Sequence, residues 1–190
     1  MSVASPRKSA RERLLAAADE LFYAEGVHTV GIDRVIERAG VAKASLYSTF
    51  GSKDELVRAY LRGRHESRRT RILAGIERFA TPRERLLGVF DLLAESAAKP
   101  GFRGCAFYNA GAERDPSGAV RDEADNNRAW TRGLFADLAS AIGVPDPEAL
   151  ADQLVVLYDG ALVGARLKPG PQAPAAARAV AATLLDSLTR

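Results

Sequence analysis

Apolar positions recur along this chain at the three- and four-residue spacing of amphipathic helices and predict an all-α fold of about nine helices. The first opens at a capping box, Ser9 with Glu12, and carries Leu14, Leu15, Ala18, Leu21 and Phe22 on one face until Gly26 stops it. A second, Ile32 to Ala39, turns Ile32, Val35 and Ile36 inward. Gly40 and Val41 then make a corner, and a short third helix, Lys43 to about Thr49, closes the core with Leu46 and Phe50 before Gly51 ends it. Ser52 and Glu55 form another box, opening a fourth helix that runs to about Phe79.

Thr81, Pro82 and Glu84 start the fifth helix, with Leu86, Phe90, Leu93 and Ala97 on its face. Lys99, Pro100 and Gly101 break the chain before a short, mostly buried sixth helix within FRGCAFYNAGAER, and Asp115 to Gly118 break it again. The seventh, from about Ala119 to Ile142, has the stripe Val120, Ala124, Asn127, Thr131, Leu134, Leu138 and Ile142. Two polar residues stand in it. A buried amide is costly unless bonded, so Asn127 pairs with another side chain, lies at the rim, or faces a cavity that admits water or ligand. The eighth helix, begun by Asp146 and Pro147, is apolar nearly all round and needs burial on two sides. Leu150, Leu154, Tyr158 and Leu162 serve the protomer core, leaving Val156, Gly160, Val163 and Gly164 for a second contact. The ninth, about Ala173 to Leu188, is Ala-rich.

The outer face of the third helix sets the direction of the functional reading. Lys43, Ala44, Ser45, Tyr47, Ser48 and Thr49 offer hydroxyls, one cation and little bulk, which suits a recognition helix in a DNA major groove, with residues 31–50 as its helix-turn-helix. Charge agrees: residues 1 to 80 hold 15 Lys/Arg against 10 Asp/Glu, whereas residues 81 to 190 hold 12 against 14. A basic front suits a polyanion. Arg7, Lys8, Arg11 and Arg13 near the first helix are ordinary solvated charge or an arm for phosphates. Arg62, Arg64, Arg68, Arg69 and Arg71 on the fourth form a solvated face, the commoner outcome for a charge run, or widen the positive field around DNA.

Within AGVAKASLYSTFGSKDEL, the order Ala-Gly-Val, Leu-Tyr, Phe and Ser-Lys resembles the DNA-binding domain of the TetR family of bacterial transcription regulators. The resemblance covers Ser9 to about Tyr60, under a third of the chain. It implies a DNA-binding domain over 1–60 and a helical ligand-binding and dimerisation domain over 61–190. Tyr47 and Lys53 are implied as phosphate contacts, and double-stranded operator DNA, a small-molecule effector and a second copy joined through helices eight and nine as partners. A homodimeric repressor of a near-palindromic operator is the family expectation. Resembling sequences usually carry Ser or Thr where this one has Ala42, and often a hydroxyl where it has Gly31, so side-chain caps are missing at both helix starts. Candidate effector contacts are Phe107, Tyr108, Asn109, Asn127, Trp130, Thr131 and Tyr158, a set that equally describes a filled core.

Other chemistry finds no foothold. His28 and His65 lack metal-ligand companions, and no nucleotide-cradling loop or nucleophile elbow is present, so no metal, cofactor or catalytic residue is expected. An enzyme with a helical domain and a DNA-binding protein without effector are the rival readings. Cys105, beside Arg103, is either a small buried hydrophobe or an oxidant sensor. It cannot form an internal disulfide, no run reaches the roughly 18 apolar residues of a membrane span, and the first residues continue into a helix instead of a targeting peptide. Cytoplasm is the expected compartment.

Overall fold

The structure is a computed structural model describing residues 8–113 and 116–188; Arg7 and Asp115 lie outside the described residues. Among these residues every regular element is a helix: α1 (Ala10–Glu25), α2 (Ile32–Ala39), α3 (Lys43–Phe50), α4 (Lys53–Ile76), α5 (Pro82–Ala97), α6 (Ala106–Gly111), α7 (Gly118–Ile142), α8 (Pro147–Leu167) and α9 (Gln172–Leu188). The chain divides into two compact units, Met1–Arg64 with Ala106–Ala124, and His65–Cys105 with Asp125–Arg190. Both α4 and α7 begin in the first and end in the second.

In the first unit, α1 starts where its box predicts: the Ser9 hydroxyl accepts from the Glu12 amide at 3.2 Å, and the Glu12 carboxylate accepts from the Ser9 amide at 2.7 Å. Leu14, Ala18, Leu21 and Phe22 are buried, and Phe22 meets the Tyr60 ring edge-on at 5.5 Å. Val35 and Leu46 are fully buried, while Ile32, Ile36 and Phe50 remain half-exposed. The corner between α2 and α3 is a Schellman turn. Gly40 sits left-handed at φ 61°, its amide donating to the Glu37 carbonyl and that of Val41 to the Ile36 carbonyl. A Cβ at that φ costs about 1–2 kcal/mol, so the glycine holds the angle between the two helices.

The second unit is built on an aromatic cluster, with Phe90 against Phe135 at 5.7 Å and both against Tyr158 at 5.9 and 6.0 Å. Leu86, Leu93, Leu150, Leu154 and Leu185 from α5, α8 and α9 surround it. The Thr81–Glu84 box and Pro82 start α5, and Asp146 caps α8. Two expectations change. Helix α4 stops at Ile76, three residues before Phe79, whose amide closes the last turn onto the Ile76 carbonyl. Its ring lies on Gly88 so closely that a Cβ there would sit 2.3 Å away. Gly164, expected on the outer face of α8, instead lets α9 approach within the chain, since a Cβ on it would lie 2.7 Å from that of Ala173.

Candidate functional site

Helix α3 starts without a side-chain cap at Ala42, as α2 does at Gly31, so backbone amides are left open at both starts. Lys43, Ala44, Tyr47, Ser48 and Thr49 are exposed, Ser45 is half-exposed, and the inner residue Leu46 is fully buried. The hydroxyls of Ser48 and Thr49 donate to the Ser45 carbonyl at 3.2 and 2.6 Å, leaving their lone pairs outward as acceptors. Lys43, the one cation of α3, bonds to Asp33 at the start of α2 at 2.9 Å, and that hydrogen bond raises its pKa.

Lys53 begins α4 behind this surface, where the Ser52 hydroxyl accepts from the Glu55 amide at 3.1 Å. Only this half of the expected box is drawn, because the Glu55 carboxylate turns to Arg58 at 3.3 Å. Burial lowers the Lys53 pKa, opposed by the charges of Glu113 and Asp54. A cleft of about 230 Å³ joins Lys53 to His28, Asp54, Glu113 and Ser117. Glu113 was invisible to sequence reasoning. Its carboxylate accepts from the amides of Val27, at 2.7 Å, and His28, clamping the turn between α1 and α2. Gly26 makes room for it: a Cβ there would meet the carboxylate oxygen at 2.9 Å. No local periodicity could have revealed a partner 86 residues away.

The basic residues near α1 have structural tasks. Arg13 donates to the Gly40 carbonyl at 2.9 Å, satisfying the end of α2, and Arg11 lies over the Phe50 ring at 5.7 Å. Lys8 is exposed. The arginine run of α4 is only in part the solvated face expected: Arg62 and Arg69 are exposed, whereas Arg64, Arg68 and Arg71 are half-buried against partners distant in sequence. Arg62 pairs with buried Glu123 at 2.9 Å, while Arg64 pairs with Asp19 and stacks over Tyr23 at 3.9 Å. Arg71 bonds to Ser96, and Arg69 is exposed.

Four of the candidate effector contacts converge in the second unit. Asn127 and Thr131 are 7% and 4% exposed, and both accept from Arg68, at 2.6 and 2.9 Å. Of the three possibilities for Asn127, side-chain pairing is the one realised. Trp130 and Tyr158 lie 5.5 and 5.2 Å from the same guanidinium, and His65 meets Trp130 edge-on. Tyr158 belongs to the packed core at 2% exposure. Phe107 is buried, Tyr108 exposed and Asn109 half-exposed on α6 in the first unit. Cys105 is half-exposed.

A second cleft of the same unit, about 450 Å³, lies along α7 and α8 beside Arg128, Arg132, Asp152 and Val156. Its arginines are already matched: Arg132 bonds to Glu148 and Asp152, holding the Asp152 carboxyl below its ordinary pKa, and Arg128 bonds to Asp159. Among the described residues no group of three His, Cys, Asp or Glu could hold a metal ion, and no helix is long and apolar enough to cross a membrane.

A family model described as bacterial regulatory proteins, tetR family, matches residues 14–60. The HTH-type transcriptional activator FasR of Mycolicibacterium smegmatis is 48% identical over 56 residues, which span 30% of this chain and only 26% of that protein. The transcriptional regulator AcuR of Cereibacter sphaeroides is 29% identical over 177 residues, 85% of this chain and 78% of the relative. A TetR-family transcriptional regulator from Streptomyces coelicolor has a crystal structure that superposes with a TM-score of 0.88 at 34% identity, covering 95% of this chain and 96% of that one.

Proposed function

Because the chain belongs to the TetR family of DNA-binding transcriptional regulators, we propose that it is a homodimeric repressor released from a near-palindromic operator by a small molecule. The observation that carries this reading is α3 itself: a buried Leu46 fixes the helix, and Lys43, Ala44, Ser45, Tyr47, Ser48 and Thr49 face outward beyond a left-handed Gly40 corner. Ser45, Ser48 and Thr49 reach base edges, Lys43 a phosphate or guanine edge, and Tyr47 and Lys53 phosphates that set the register. Residues 1–60 act as the DNA-binding domain and 61–190 as the sensing and dimerising domain. Asn127, Trp130 and Thr131 belong to the effector site, with Tyr158 as core packing behind them. The protein works in the cytoplasm, where its DNA target is, and acts as a switch and not as an enzyme.

Coupling requires that the effector bind more tightly to a conformer whose recognition helices no longer fit successive major grooves, about 34–36 Å apart. Selection from genomic fragments at moderate salt, followed by mobility shift with a metabolite library, tests both halves. A near-palindromic site released by at least one compound is expected. Failure to select any specific site overturns the DNA-reading role, and a site that no compound releases overturns the sensor.

A further inference from the structure

Within the second unit, Arg68 carries a charge that its neighbours orient without cancelling. Its two terminal nitrogens donate to neutral acceptors, the Asn127 amide oxygen at 2.6 Å and the Thr131 hydroxyl at 2.9 Å. Among the described residues no carboxylate is within ion-pair distance of it, whereas Arg62 and Arg64 on the same helix have Glu123 and Asp19. Arg71, three residues on, also bonds only to neutral groups, the Ser96 hydroxyl at 2.6 Å and the Leu92 carbonyl at 3.2 Å.

A guanidinium cannot shed its proton, so a partly desolvated one without a counter-ion costs folding free energy. The surroundings keep that charge oriented. Asn127 and Thr131 form a buried floor, while Arg68, His65 and Trp130 are each half-exposed, so the fork is not sealed from above. Two bonds leave three of its five N–H groups for another acceptor. Since Asn127 turns its oxygen to the guanidinium, its amide NH₂ is a further donor. Such donors around one fixed cation, beside an aromatic face, match a planar single anion with an apolar body. A phosphate dianion calls for more than one cation or a cluster of backbone amides, and Arg71 is engaged with α5.

We propose that Arg68 anchors the carboxylate of a small organic acid, with the acid's apolar part against Trp130. This rests on the reading of the chain as an effector-controlled regulator and names the effector's chemical class. The contrast with the α7–α8 cleft supports it, since the arginines there are already neutralised.

Trp130 is the sole tryptophan and therefore reports directly on this site. Its fluorescence would be titrated in the full chain with propionate, hexanoate, benzoate and phenylacetate, with the matching amides, and with inorganic phosphate. At least one carboxylate should perturb it and bind about tenfold or more tightly than its amide, the scale of one charge-assisted hydrogen bond. Equal binding of acid and amide, no response to any carboxylate, or tighter binding of phosphate overturns the assignment. Arg68→Gln, with its helical circular dichroism retained, should lose the preference for acid over amide. Asn127→Asp supplies an internal counter-ion and should weaken carboxylate binding by a similar factor even if Arg68→Gln fails to fold; wild-type affinity in Asn127→Asp would count against the proposal. The operator assay separates the two levels: release by neutral compounds but by no acid removes the carboxylate while leaving the sensor, and release by nothing removes the sensor.

Discussion

Ser9 with Glu12 and Thr81 with Glu84 start two helices by exchanging the same pair of hydrogen bonds. In each box the ionised carboxylate accepts from the cap residue's amide and hydroxyl, so bonds from Ser9 hold Glu12 below its ordinary 4.5 and bonds from Thr81 do the same for Glu84. In the interval between folded and unfolded pKa the unfolded chain binds more protons, and stability therefore rises with pH. The contribution is complete above about 4.5 and disappears as pH falls through the folded value. Denaturation of the wild type and of Glu12→Gln/Glu84→Gln should accordingly differ at neutral pH and converge at acid pH; a constant gap would show that ionisation is not what the boxes use. These residues were legible in the sequence because both partners lie within one turn. Asn127 was legible only as a polar residue needing a partner, since Arg68 is 59 positions away.

At the scale of elements, α2 supplies a carboxylate to the one cation of α3. Lys43 is tied to Asp33, so α3 presents a paired cation. The pair is exposed on both sides and contributes little to stability. Asp33→Asn should leave the melting temperature nearly unchanged, tighten DNA binding, and steepen the dependence of log affinity on log salt by about one. Mobility shifts over a series of salt concentrations measure this; an unchanged slope would mean that Lys43 does not reach a phosphate. Element boundaries emerged well from caps and corners, as at Ser9, Gly40, Thr81 and Asp146. The end of α4 did not, because Phe79 is diverted by packing on Gly88, which no periodicity records. The partners of the α4 arginines were hidden for the same reason: charge runs are visible locally, but Asp19, Glu123 and Asn127 come from other helices.

For the whole molecule, the surface of α8 and α9 argues for a second copy. Val156 and Leu167 are 66% and 80% exposed on α8, Val180 and Leu188 are 47% and 40% exposed on α9, and Val163 and Leu184 are half-exposed between them. A twofold contact over these helices would cover that apolar stripe. Val156→Glu/Val180→Glu should sediment as a monomer and lose operator affinity by about a hundredfold or more, the scale on which two linked contacts exceed one. Wild-type protein that sediments as a monomer at operator-binding concentrations would exclude the dimer. The all-helical layout and the short helix α3 could be derived from spacing and local resemblance. The composition of the first unit could not, because α6 and the start of α7 join it from beyond residue 100.

Glu113 gives that composition a practical meaning for protein engineering. A chimera cut from the contiguous N-terminal segment, residues 14–60 with short flanks, would leave behind the carboxylate that fastens the α1–α2 turn. Grafting this unit onto another protein therefore means transplanting two pieces of chain, or redesigning Gly26, Val27 and His28 to hold their turn without a borrowed acid.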